Sequence, residues 1–210
     1  MNTPIKLKIA LKDLPHKCER TLLIPDNVNM LQVHFLIQES MGWLNAHFFE
    51  FSDKKWKSNI RVGIPDDFDI DFGLTPKIDA TKGKLENLFI ERNEAKPFWY
   101  WYDFGDDWWH SISFLKVTKK DMKAYEGFPL CIKAKGKCPP EDVGGPWGYA
   151  DFLETVKTKE HPEYSEMKEW YGIGENEEYD EQEIDIEEIN QQLKEYYTSK
   201  NWGKTDFELF

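Results

Sequence analysis

Cysteine is scarce in this chain. The three residues, Cys18, Cys131 and Cys138, are too few and odd in number for a disulfide framework, and the six-residue gap between the last two lacks zinc-knuckle spacing. A reducing cytoplasm is the expected home. No run approaches the ~18 apolar residues of a membrane-crossing helix, so no membrane span is expected. Met1 to Pro15 threads lysines among its apolar residues and forms no continuous hydrophobic region, so no signal peptide is expected. Internal repeats and low-complexity tracts are missing. So are a nucleophile elbow, a P-loop, a dinucleotide glycine pattern and a His-Glu-x-x-His pair, which removes the enzyme signatures that a sequence displays most plainly.

An excess of positive charge is missing too. The formal net charge is -12, and residues 160-190 hold 13 Asp/Glu against one Lys, so 26 acidic and 26 basic residues balance everywhere else. Nucleic-acid binding normally needs a clustered basic face, so DNA is not an expected partner, and anionic membranes are disfavoured on the same ground. The acidic run reads as a solvated helical region whose acids face water, or as a docking surface for a basic partner.

Aromatic side chains, by contrast, are abundant. Fourteen Phe, nine Trp and nine Tyr carry far more apolar area than a tail or linker would, so a folded chain is expected. At 210 residues it reads as a single domain, 1-210, with the acidic helical region 160-190 inside it. Ile5, Leu7, Ile9 and Leu11 alternate with polar or small residues, the period-2 pattern of a half-buried strand, and Arg20 to Ile24 makes a second strand that a short link lets pair with it. Asn29 is placed to cap a helix with Met30, Val33, Ile37 and Met41 on one stripe, ended by Gly42. His47 to Phe51 reads as a third strand, which completes a ββαβ opening.

Past residue 53 the pattern weakens, with a helical turn or two over 84–91. Asp67-Phe68-Asp69-Ile70-Asp71 has a calcium loop's alternating acids, but Phe72 and Ile78 stand where Gly and a bidentate Glu are required, so an EF-hand is rejected. Phe98 to Val117 reads as a hairpin, Asp121 to Glu126 as a short helix, and Cys138 to Gly148 as a rigid loop. A helix follows with Tyr149, Phe152, Leu153 and Val156 on one face. Pro162 opens another that ends at Gly172, and Asp185 caps a last one bearing Ile186, Ile189, Leu193 and Tyr197. The fold class expected is α+β: an antiparallel-rich sheet with helices packed on it and a mostly helical C-terminal part.

Two segments could carry chemistry. In Tyr102-Asp103-Phe104-Gly105-Asp106-Asp107-Trp108-Trp109-His110, three acids and a histidine fall within nine residues. A two-residue turn at Gly105-Asp106 sets Asp103 diagonally beside His110 on one face, and a four-residue loop sets them directly opposite. A three-residue loop sends them to opposite faces. Convergence would make a carboxylate-imidazole pair for base catalysis or metal binding; otherwise the acids serve turn amides and the histidine packs among tryptophans. The second segment, Cys138-Pro139-Pro140-Glu141-Asp142-Val143-Gly144-Gly145-Pro146-Trp147-Gly148-Tyr149, brings two carboxylates close to glycine amides, as metal and anion sites require. His34 and His47 are further candidates, although a lone His on an apolar helical face is more often a hydrogen-bonded core residue. The run Phe98 to Tyr102 could stack nucleobases, but Lys96 is its one basic neighbour, and buried core is the preferred reading.

These two segments, together with His34, Met41-Gly42-Trp43, His47, Phe51, Ile189-Asn190 and Leu193, resemble the Ri-plasmid open-reading-frame-3-like family over nearly the whole chain. At Cys18-Glu19-Arg20 the sequence departs from the family, where a Trp-Arg pair is usual. Some members carry a resolvase label, but the resemblance brings no established activity. Serine recombination needs an activated serine amid arginines, and this chain has only Arg20, Arg61 and Arg92.

Two functions are carried forward. The first is an intracellular binding module for a small molecule or protein, with a cleft between the Asp103 to His110 hairpin and the Glu141 to Tyr149 loop. Its candidate binding residues are His34, His47, Trp108, Gly144, Gly145, Trp147 and Tyr149. The alternative is a metal-dependent hydrolase or nuclease, with Asp103, Asp106, His110, Glu141 and Asp142 as catalytic candidates and a divalent metal as cofactor. The separation between the two segments decides whether they share a site.

Overall fold

A computed structural model describes residues 3–65, 75–202 and 204; the rejected calcium loop, Asp67 to Asp71, lies outside them. Eight strands form one sheet among the described residues: β1 (Ile5–Leu11), β2 (Cys18–Ile24), β3 (Phe49–Ser52), β4 (Arg61–Gly63), β5 (Ile78–Asp79), β6 (Phe98–Tyr102), β7 (Trp108–Leu115) and β8 (Leu130–Lys135). Their order is β5-β4-β3-β6-β7-β1-β2-β8, antiparallel throughout except for the short β4-β5 pair. The ββαβ opening is present, and the fold is α+β.

The first and last helices start where the sequence says they should, whereas the short helix spans Lys119–Ala124 rather than Asp121 to Glu126, and the next begins at Gly145, inside the segment expected to be loop. In α1 (Met30–Met41), Asn29 Oδ1 accepts from the Gln32 amide and Gln32 Oε1 from the Asn29 amide, a reciprocal cap. Gly42 ends the helix in the left-handed region, at φ 81°. The stripe of Met30, Val33, Ile37 and Met41 is buried in one core cluster with Leu7, Ile9 and Leu11 of β1 and with Phe98, Tyr100 and Tyr102 of β6. Thr118 caps α2 (Lys119–Ala124), and α3 (Gly145–Lys157) buries Tyr149, Phe152, Leu153 and Val156 as its periodicity predicts. In α4 (Tyr164–Tyr171), the buried Lys168 donates to the Glu175 and Glu177 carbonyls and ties down the following turn. Residues 86–91 form a π-helical turn. Asp185 caps α5 (Ile186–Thr198), which lays Ile189 and Leu193 into the core, while Asn190 brackets the Cys131 backbone through both its amide atoms.

Three details lie outside the sequence reading. Strand β8 is a half-exposed edge whose lysines mask its period, although its pairing with β2 extends the sheet. Arg20 is buried in β2 and donates to the carbonyls of Ser40, Glu19, Lys135 and Gly136, joining α1, β2 and the end of β8. The acids of residues 160–190 mostly face water, but Glu181 pairs with Lys157 at 2.6 Å.

Strand alternation splits the aromatic run in two. Phe98, Tyr100 and Tyr102 enter the core, whereas Trp99 and Trp101 take the opposite face, where Trp101 stacks on Trp109 at 4.9 Å and 8° from parallel.

Candidate metal centre

The register of the hairpin decides the site. Tyr100 pairs with His110 and Tyr102 with Trp108, so the turn holds five residues, 103–107. An odd loop puts Asp103 out of phase with His110, and Asp103 stands in the turn beyond the last strand pair. His110 goes to the core: it is fully buried, its Nδ1–H donates to the Tyr100 carbonyl at 3.3 Å, and its ring meets Trp43 edge-on. The carboxylate-imidazole pair therefore does not form between Asp103 and His110. The turn is longer than the expected two to four residues because Asp103 and Asp107 both adopt left-handed backbone, at φ 53° and 60°, which Asp tolerates better than most side chains. Asp103 Oδ1 accepts from the amides of Gly105 and Asp106, which leaves Oδ2 free to point outward.

That oxygen faces His47 instead. Nε2 of His47 lies 3.6 Å from Asp103 Oδ2 and 3.2 Å from Asp142 Oδ1, and the three donor atoms all fall within 4.8 Å of one another. The two chemistry-bearing segments thus meet. Nε2 is shielded from water, yet among the described residues no partner meets it in hydrogen-bond geometry: Asp142 is close enough for an ion pair but stands off the hydrogen-bond line. A buried polar atom left without a partner calls for an explanation; His110 Nε2 is another such atom, but His47 Nε2 has two carboxylate oxygens beside it, which an ion would bring into use. Donors held 2.0–2.2 Å from a single ion lie ~3.0 Å apart at right angles and ~3.4 Å apart at tetrahedral angles, close to the two separations from His47 Nε2, 3.2 and 3.6 Å. One imidazole nitrogen with two carboxylate oxygens suits a divalent ion such as Zn, Mn or Fe.

Other sequence candidates hold this trio in place. The Tyr102 hydroxyl donates to Glu141 Oε1 and accepts from the Ala46 amide, while Glu141 Oε2 accepts from the Leu44 amide at 2.7 Å. Burial, with the Glu141 carboxylate beside it, raises the Tyr102 pKa and keeps the phenol protonated. Trp43 Nε1 donates to the Pro139 carbonyl. The linker that carries His47 is therefore sewn to the loop that carries Asp142, itself left-handed at φ 59°. Asp106 Oδ2 accepts from the Gly144 amide and holds that loop to the hairpin turn. Gly145 packs so tightly there that a Cβ would come within 2.3 Å of the Asp106 carbonyl oxygen.

His34 sits in the core of α1. Asn45 Oδ1 accepts from its Nε2–H, so Nδ1 is the acceptor for the Tyr100 hydroxyl at 2.7 Å, and Gln38 donates to that same hydroxyl. Burial pushes the pKa of both His34 and His110 down to about 3, so each is neutral. Trp108 and Tyr149 are buried as well, Tyr149 with its hydroxyl against that of Tyr179, and Trp147 is exposed. A cleft of about 330 Å³ opens beside the trio, lined by His47, Phe48, Asp103, Phe104 and Gly105. It lies between the hairpin turn and the approach to β3, and none of its lining residues comes from the 141–149 loop. Phe48, Phe104 and the bracing role of Tyr102 were not visible in linear spacing, because their partners are distant in the chain.

An α+β protein with a one-histidine, two-aspartate cluster at the junction of three loops is the class these observations define. The chain belongs to the plasmid pRiA4b ORF-3-like protein family, whose model matches residues 3–188. It is 33% identical over 186 residues to uncharacterized protein y4hQ of Sinorhizobium fredii, covering 89% of this chain and 88% of that protein. A crystal structure of MM3350, a protein of unknown function from Methanosarcina mazei Go1, superposes with a TM-score of 0.70 at 28% identity, over 89% of this chain and 98% of the other.

Proposed function

We propose that this protein binds a divalent metal ion through His47, Asp103 and Asp142 and, through that ion, holds a small ligand in the adjoining cleft. The observation that carries this reading is the shielded, unpartnered Nε2 of His47, aimed between two carboxylate oxygens. Glu141, Tyr102 and Asp106 are each engaged in holding loops, so binding makes fuller use of the geometry than side-chain acid-base chemistry does. Metal-assisted hydrolysis is the second reading. It is favoured by a donor set of three beside a cleft, since a divalent ion so held keeps a coordination position for an activated water.

Calorimetric titration of the full chain with Zn, Mn and Mg tests the proposal. One ion should bind per chain, and His47→Gln and Asp142→Asn should each weaken it at least about tenfold. Absence of binding, or affinity untouched by both variants, would overturn the reading.

A further inference from the structure

Large apolar side chains left in water are usually scattered, and a cluster of them marks an interaction site. Here four exposed side chains belong to the three segments that carry His47, Asp103 and Asp142: Leu44 is 85% exposed, Phe48 49%, Phe104 38% and Trp147 86%. Two of them, Phe48 and Phe104, line the cleft itself. Their rings lie 25° from parallel with centroids 6.4 Å apart, so the apolar part of the cleft is made of flat faces. Phe104 is also backed by Trp101 at 4.2 Å, and Trp101 by Trp109, a stack that fixes the plane of Phe104 before any ligand arrives. Lys77 brings an ammonium to the same wall, 5.9 Å from the Phe104 ring centroid.

We infer that the cleft takes a planar aromatic group carrying an oxyanion, with the oxyanion at the His47–Asp103–Asp142 ion and the ring against Phe48 and Phe104. This inference rests on the metal reading above. Hard oxygen ligands suit an ion held by imidazole and carboxylates, and flat faces reward a flat ligand. Charge sets the order of binding: Asp103 and Asp142 repel an anion until a divalent ion cancels their two charges. The anion therefore follows the metal. Nucleotides and aromatic carboxylates share this chemistry.

The test uses the full chain loaded with Mn, titrated calorimetrically with 5′-AMP, phenyl phosphate, benzoate, inorganic phosphate and acetate. Ring-bearing anions should bind about tenfold or more tightly than their ring-free counterparts, the factor that one stacked ring supplies. Phe104→Leu, which keeps apolar volume but removes the flat face, and Phe48→Leu should each reduce that preference and leave Mn affinity unchanged. A preference for AMP over phenyl phosphate and benzoate identifies a nucleotide; equal enhancement of phenyl phosphate and benzoate identifies the general ring-plus-oxyanion class. Equal binding of ring-bearing and ring-free anions, or a preference that survives both substitutions, would overturn the inference while the metal reading stands. Failure of Mn itself to bind would mark failure of that reading, and this inference falls with it.

Discussion

Tyr102 at the end of β6 donates its hydroxyl to Glu141, 39 residues later in the chain, and the same oxygen accepts from the Ala46 amide. One phenol thus fixes the spacing between the segments that supply all three donors of the site. Its removal by Tyr102→Phe leaves Glu141 Oε1 and the Ala46 amide without that partner. We expect a stability loss of about 1–3 kcal/mol by urea unfolding. We also expect metal affinity to fall about tenfold, as is usual when a group bracing a metal ligand is lost. Glu141→Gln retains one acceptor oxygen and should lose less on both measures than Glu141→Ala. Equal losses for Gln and Ala would show that the acceptor geometry is immaterial.

A second prediction concerns pH. His34 and His110 hold folded-state pKa values of about 3, whereas an unfolded histidine titrates near 6.5. Below pH ~6.5 the unfolded chain takes up protons that the folded chain refuses. The stability present above that pH is then lost as pH falls toward 3, by about 1.4 kcal/mol per pH unit for each fully refused proton. Urea midpoints between pH 6.5 and 5 should therefore drop steeply. His110→Phe should flatten the slope by roughly half of the two histidines' share, and an unchanged slope would mean that His110 is not held neutral.

Gly145 carries the third. Its φ is 70°, and a Cβ at this position would stand 2.3 Å from the Asp106 carbonyl oxygen, so there is no room for a side chain at the start of α3. Gly145→Ala combines left-handed strain with overpacking against backbone and should destabilise by about 2–4 kcal/mol. It should also loosen Asp142, so a thermal shift within experimental error of the parent would refute the tight approach.

Much of the fold could be read from the chain because its signals are local. Asn29, Gln32 and Gly42 bracket α1 within its own span, and the alternation of Leu7, Ile9 and Leu11 reports one buried face. The site was legible only in part. Asp103 and Asp142 stand out in unusual segments, but the partnership with His47 depends on a hairpin whose two left-handed aspartates lengthen the turn to five residues. Glycine is the usual bearer of positive φ, which points to Gly105 as the turn residue, whereas Asp103 and Asp107 on either side of it take that role. Strand β8 is illegible for a different reason: Lys133 and Lys135 interrupt its apolar pattern at a solvent edge.

The burial of Arg20 bears on the order in which the sheet assembles. Its bonds to Lys135 and Gly136 each close a span of about 115 residues, while the pairing of β1 with β2 and the docking of α1 are local. Closing so long a span costs chain entropy before any contact rewards it, so we expect the edge strand β8 to seat late and to leave early. Arg20→Met should then steepen the approach to the unfolded state more than it slows the return: in stopped-flow experiments the unfolding arm of the chevron should rise while the folding arm barely moves. A guanidinium that looks static in the folded chain would in this way act as a latch on the lifetime of the native state.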